Sequence, residues 1–165
     1  MRAPYRKPTK FSYIPNDPLM TTDKLAELKD KLERLKKIRP QAAADVSQLA
    51  QLGDFSENVE YQLAKGRLRG INQGIIDTDK QINQADIIAP GKNHGRVELG
   101  NIITVESGGK NKIFQILGSS ETDPRKGIIS YSSPIGAALL GHAVGETVKI
   151  KIGGKETEYK IIKIE

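Results

Sequence analysis

From Leu25 to Leu49 the apolar residues recur at alternating spacings of three and four. Leu25, Leu32, Arg39 and Val46 form one series, and Leu28, Leu35, Ala42 and Leu49 form the other. This is the seam of a coiled coil, with Lys, Glu and Asp on the outer face. Thr21 or Thr22 can cap the start, and Asp23 suits the first turn. Glu33 precedes Lys37 by four residues, the favourable order for a helical ion pair. Pro40 removes one backbone donor and predicts a kink near residues 36–39 of a single helix over about 22–51. Gly53 then reads as a stop. A second helix is expected from about Phe55. Its seam runs through Tyr61, Ala64, Leu68, Ile71, Ile75, Thr78, Ile82 and Ala85. The connection is only a few residues, so the two helices must be antiparallel neighbours. About 30 residues per helix give a rod on the order of 45 Å long. Gly66, Gly70 and Gly74 recur along one face of the second helix. They fit either a close approach to another backbone or a tolerated weakness in a long helix.

Beyond Pro90 the period changes. Pro90 to Gly95 reads as a linker. Residues 102–105, 112–117, 127–130, 147–152 and 158–164 are strand-like, and Gly108-Gly109 and Gly153-Gly154 fit hairpin turns. Ser133-Pro134 is a good helix start and Gly141 a good stop, so one short helix is expected between strands. The expected fold is therefore α+β. An N-terminal antiparallel coiled-coil hairpin spans 21–89, with an acidic tip at 53–61. A linker covers 90–95, and a small antiparallel sheet domain with a short helix covers 96–165. Residues 1–20 carry four prolines, four basic residues and Tyr5, Phe11 and Tyr13 with no period, and read as a basic disordered arm.

Composition narrows the function. The 165 residues are 37% hydrophobic and 5% aromatic, thin for one large core but suited to a rod plus a compact part. Without cysteine there is no disulfide or thiolate metal site, and His94 and His142 alone do not suggest a histidine-rich one. No apolar run approaches the ~20 residues of a membrane span, so a soluble cytoplasmic protein without membrane contact is expected. A net charge of +6 favours polyanionic partners. His142, alone near a helix end, reads as structural.

The tip carries the candidate chemistry. Asp54 and Glu57 stand three apart where a helix starts, which admits a capping box with Asp54 as N-cap and Glu57 at N3. The same acids could instead face outward and hold a hard cation whose remaining ligands belong to a partner. Just behind them come Lys65, Arg67 and Arg69, with no acid between Tyr61 and Ile76. Lys65 and Arg69 share a helical face and Arg67 is turned away, so the run is either a solvated face or a contact for a nucleic acid backbone.

The run LGDFSENVEYQLAKGRLRG resembles the tip and second helix of the bacterial Gre-type transcript cleavage factors, the GreA/GreB family. ISYSSPIGAALLGHAVGETVKI resembles their C-terminal domain. The resemblance covers about 22–165 and implies a coiled-coil hairpin followed by an FKBP-like domain. It also implies a monomeric accessory factor, not an enzyme in itself, that binds bacterial RNA polymerase through its secondary channel. Such a factor stimulates Mg²⁺-dependent cleavage of the nascent RNA 3′ end in backtracked complexes. Asp54 and Glu57 match the positions that share Mg²⁺ with the polymerase, with Ser56 and Tyr61 supporting. Lys65, Arg67 and Arg69 match the RNA contact, and Ser133, Pro134, Ile135 and Gly136 the polymerase contact. A non-cleaving modulator of the polymerase with the same rod is the alternative. Gln62 to Arg69 is similar to the subtype acting on longer extruded RNA, and the Ser133 to Gly141 run to the other.

Overall fold

The structure is a computed structural model that describes residues 17–51, 58–89 and 95–165. It forms two units. Asp23–Ala85 is one, and Asp86–Glu165 together with the segment ending at Thr22 is the other.

The first unit is the helical hairpin. α1 runs Thr22–Ala50 and α2 runs Val59–Asn83. At ~1.5 Å per residue these are about 44 and 38 Å long. Every predicted seam position is buried or half-buried except Arg39, and Leu28, Leu32, Ala42, Ile71 and Thr78 are the most enclosed. Antiparallel pairing shows in the partners. A Cβ on Gly74 would lie 3.2 Å from the Leu35 side chain, and Arg39 donates from Nε to Asn72 Oδ1 at 2.7 Å. Arg39 thus occupies a seam position by reaching across the edge of the seam instead of filling it. Pro40 lies within α1, which continues through it. Glu33 stands 4.0 Å from Lys36, not Lys37, an exposed pair of little energetic weight. Of the three glycines, only Gly74 has a close neighbour in the partner helix, while Gly66 and Gly70 face open space.

The second unit holds a five-stranded sheet. β1 (Leu19–Met20) and β2 (Asp86–Ile87) lie outside it as a two-residue parallel ribbon. β3 (Ile102–Ser107), β4 (Lys110–Leu117), β5 (Ile128–Ser130), β6 (Thr147–Ile152) and β7 (Lys155–Ile164) are ordered β5-β4-β3-β7-β6. The expected strands are all present. Gly108 and Gly109, with φ of 59° and 72°, make the β3–β4 turn in the left-handed region that a two-residue hairpin of this hand requires. The sheet is mixed, not purely antiparallel as expected. β4 and β5 pair in parallel because residues 118–127 carry the chain back to the start of the next strand through two 3₁₀ turns, Ser119–Glu121 and Pro124–Lys126. The short helix α3 (Pro134–Leu139) is also found, capped by Ser133, whose Oγ accepts from Gly136 N at 3.0 Å. Leu139 from this helix joins Ile103, Val105, Ile116 and Ile161 in the core, all fully enclosed.

The arm expected over 1–20 ends earlier than its composition suggests. Residues 1–16 lie outside the described residues, but Asp17 to Met20 are built into the second unit. Asp17 is buried, and its carboxylate accepts from Leu19 N at 3.1 Å and from Ser119 N at 2.7 Å. Met20 is buried, and its carbonyl accepts from Ile88 N at 2.9 Å. Glu121 accepts from both Thr21 N (2.8 Å) and Thr21 Oγ1 (2.5 Å). Thr21 immediately precedes α1, so Glu121 plays the part that an N3 glutamate plays in a capping box, from a distant point in the chain. The fit is close enough to exclude a methyl group, since a Cβ on Gly118 would lie 1.9 Å from the Leu19 carbonyl oxygen. Gly118→Ala is therefore expected to destabilise the protein by about 1–3 kcal/mol in urea unfolding. It should also open residues 17–21 to amide hydrogen exchange while leaving exchange in the middle of α1 and α2 unchanged.

Candidate tip and basic face of the hairpin

The start of α2 decides what the tip acids can do. Its N-cap is Asn58, with φ −81° and ψ 93°, and the Asn58 side chain accepts from Tyr61 N at 3.0 Å. α2 therefore opens at Val59, not near Phe55, and the predicted capping box does not form its start. Asn58 stands three residues before Tyr61, the first seam position, so the cap and the seam are in step. Residues 52–57 lie outside the described residues, and Asp54, Ser56 and Glu57 are among them. What the structure establishes is that the helix end is already capped by a neutral side chain. Neither carboxylate is needed for that job. Among the described residues, no group of three or more His, Asp or Glu side chains is arranged to hold a metal ion.

Behind the tip the basic run separates onto two faces, as its spacing predicts. Lys65 and Arg69 line one groove with Gly66, Asn72, Gln73 and Ile76. Arg67 lines another with Asp45, Leu49, Glu60 and Ala64. The Lys65 ammonium sits 6.0 Å from the centre of the Tyr61 ring, at the outer limit of a cation–π contact. Tyr61 is thus both the first seam residue and a support for the first base. The two faces differ in field: Arg67 has two carboxylates in its groove, whereas Lys65 and Arg69 have none in theirs.

In the second unit Ser133, Pro134, Ile135 and Gly136 are brought together in the first turn of α3. Much of that sequence has a local structural use. Ser133 caps, and Pro134 sits where no backbone donor is required. Ile135 packs on the core. Gly136 is buried, with room for no Cβ because Ser130 O would lie 2.2 Å away. Beside it is a hydroxyl cluster that sequence reading missed. Ser119, Ser130 and Ser132 lie within 2.7–3.3 Å of one another, next to Tyr131. Burial first, and then the Asp17 carboxylate beside it, push the Tyr131 phenol above its ordinary pKa. Only the repeated serines in ISYSSP could have signalled this. His142 hydrogen-bonds to Glu146, and that bond lowers the pKa of the Glu146 carboxyl.

This combination defines a class: a helical hairpin with an acidic tip and a basic flank, attached to a small sheet domain. Comparison with known proteins gives the family. The model described as "Transcription elongation factor, N-terminal" matches residues 18–87, and that described as "Transcription elongation factor, GreA/GreB, C-term" matches 92–165. The chain belongs to the GreA/GreB family of transcription elongation factors. The transcription elongation factor GreA of Anaeromyxobacter sp. (strain K) is 37% identical over 146 residues, covering 86% of this chain and 88% of that protein. GreA of Caulobacter sp. (strain K31) is 37% identical over 150 residues, covering 88% and 96%. Among solved structures, the GreA factor homolog 1 (Gfh1) protein of Thermus thermophilus aligns over 88% of this chain and 97% of its own, at 24% identity and a TM-score of 0.40.

The cap assignment is directly testable. Asn58→Ala is expected to lower stability by about 1 kcal/mol in urea unfolding. Asp54→Ala and Glu57→Ala should each stay within about 0.5 kcal/mol of the parent. The reverse ranking would return the cap to the acids.

Proposed function

We propose that this protein enters the secondary channel of bacterial RNA polymerase with its hairpin and stimulates Mg²⁺-dependent cleavage of the 3′ end of the nascent RNA in backtracked complexes. The observation that carries this reading is the match of both family models, in order, across hairpin and sheet domain. The hairpin contributes reach. Two helices of 29 and 25 residues with a narrow apolar seam can project a small tip a long way at little cost in width. The second unit contributes grip, through the surface around Ser133, Pro134 and Ile135.

Asp54 and Glu57 would offer carboxylate oxygens to an Mg²⁺ whose other ligands come from the polymerase and the RNA phosphate. When bound there, the ion would make a coordinated water more acidic and stabilise charge on the cleaved phosphodiester. Both acids have to be ionised for this and free of other partners, which the Asn58 cap favours. Ser56 and Tyr61 would support the tip. Lys65 and Arg69, on their acid-free face, would neutralise phosphates of the extruded strand. Arg67, beside Asp45 and Glu60, would contribute to the same field more weakly. The protein would then be an accessory that completes its partner's site.

The test uses stalled, backtracked elongation complexes with end-labelled RNA. Shortening of the RNA from its 3′ end is expected on addition of the protein with Mg²⁺. Asp54→Asn and Glu57→Gln should each reduce that cleavage by at least about 10²-fold while leaving polymerase binding within a few-fold. Binding with inhibition and no cleavage would overturn the reading in favour of a non-cleaving modulator.

A further inference from the structure

A sheet that does not close on itself has two outer edges, here β5 and β6. The β5 edge is short and covered. β5 has three residues, and Ile128 exchanges backbone bonds of 3.0 Å with Asp123 on its outer side. β6 is six residues long and pairs with β7 alone. Gly153 and Gly154, with φ of 58° and 86°, join the two strands as a two-residue turn. Such a turn makes Ile152 and Lys155 a hydrogen-bonded pair, so Ile150 with Thr157 and Val148 with Tyr159 are bonded pairs too. The alternate residues, Thr147, Lys149 and Lys151, turn their backbone N–H and C=O groups outward to the open edge. Their side chains are exposed, whereas Val148 and Ile150 join the core. Charge runs in columns across the strands. Lys149 Nζ lies 3.0 Å from Glu158 Oε1 on β7, and Lys151 stands opposite Glu156. The Glu158 hydrogen bond, and then its charge, hold the Lys149 pKa above its ordinary value. On the edge side the columns stop, although an ammonium has three donors to offer. Lysines on an edge also deter self-pairing. In the antiparallel register that uses the whole strand, Lys149 would face the same residue of a second copy, which is repulsive. The edge is therefore closed to its own kind and open to a strand of opposite charge.

We infer that β6 is a docking edge for an extended segment of another protein that carries acidic residues at alternate positions. The segment would add antiparallel to β6 as a further strand of the sheet. Its acids would stand opposite Lys149 and Lys151 and continue the charge columns of β7 and β6. Apolar residues between those acids would lie beside Val148 and Ile150 and extend the core face. Backbone bonds to Thr147, Lys149 and Lys151 would supply affinity, and the two lysines would choose the partner. Lys149 and Lys151 are ~6.8 Å apart along the strand, the spacing of acids two residues apart in an extended chain. The edge uses none of the residues assigned above to the tip, the RNA or the polymerase contact, so it stands without the proposed function.

The test follows amide hydrogen exchange by NMR in the isotope-labelled, full-length protein as a capped peptide, Thr-Glu-Val-Glu-Val-Thr, is added. Near saturation the amides of Thr147, Lys149 and Lys151 should exchange about tenfold more slowly. Those of Val148 and Ile150, already bonded to β7, should change little. Lys149→Glu and Lys151→Glu are each expected to weaken binding several-fold. The spectra of both variants should match the parent away from β6 and its neighbours, because both side chains are exposed. Thr-Lys-Val-Lys-Val-Thr should not bind, and Thr-Glu-Glu-Val-Val-Thr, which has the same composition without the alternation, should bind several-fold more weakly. Unchanged exchange at Lys149 and Lys151 in millimolar peptide, where even weak docking fills the edge, would overturn the inference and leave the lysines as guards of the edge. Equal binding of the non-alternating peptide would overturn it in favour of plain charge attraction. Slowed exchange at the same amides on concentrating the protein alone would overturn it in favour of self-pairing.

Discussion

The hairpin has very little apolar material to spend, and that constraint shapes the rest of it. Each helix buries one stripe, and few side chains in that stripe are fully enclosed: Leu28, Leu32 and Ala42 on α1, and Ile71 and Thr78 on α2. Two long helices held by so narrow a seam are thin. All the other faces stay in water, where charge is cheap to place. A flank loaded with bases is possible because it does not have to be packed. The same economy explains Arg39, which stands at a seam position and still keeps its guanidinium outside by bonding to Asn72. The sheet unit solves the opposite problem. Its core is built from Ile, Val and Leu of five strands and one short helix, and Gly118, Gly127 and Gly136 stand where backbones touch.

The periodic parts of this fold were legible in the sequence, because periodicity is what packing writes into a chain. The seam and the strands follow from apolar spacing, and the short helix and the hairpin turns from their Ser-Pro and Gly signals. Features set by few contacts were not. β1 and β2 have two residues each, too short to show alternation, and they sit in a segment whose prolines look like those of a tail. What orders that segment is one buried carboxylate, Asp17, and one distant one, Glu121, and no local pattern announces a partner a hundred residues away. The direction of β5 was hidden for a similar reason, since it depends on two 3₁₀ turns and not on the strand residues.

The tip shows how a local motif can mislead. Asp54-x-x-Glu57 satisfies the capping-box pattern, and Asn58 is an equally good cap four residues after Asp54. Local chemistry does not separate them. The structure does, because the helix begins at Val59 with the Asn58 side chain accepting from Tyr61 N. With Asn58 as the cap, neither acid is needed to start α2. In the sheet domain the lesson runs the other way. Ser133 and Gly136 matched a family motif, and the structure gives both an ordinary role in capping and close packing.

The parallel ribbon of β1 and β2 has a kinetic meaning. Leu19 pairs with Asp86, and all of the hairpin lies between them in sequence. Two hydrogen-bonded residues per strand cannot by themselves offset the entropy of closing so long a loop from an unfolded chain. Once α1 and α2 have zipped together, their outer ends are already neighbours and the ribbon closes almost for free. The hairpin, made of local contacts, is thus the natural early event, and the fastening of residues 17–21 onto the sheet a late one. On a ribosome the order is reinforced, because both helices emerge before any strand of the sheet has been made. The chain would then carry a finished rod in search of its base, and the buried carboxylate of Asp17 would be among the last groups to leave water.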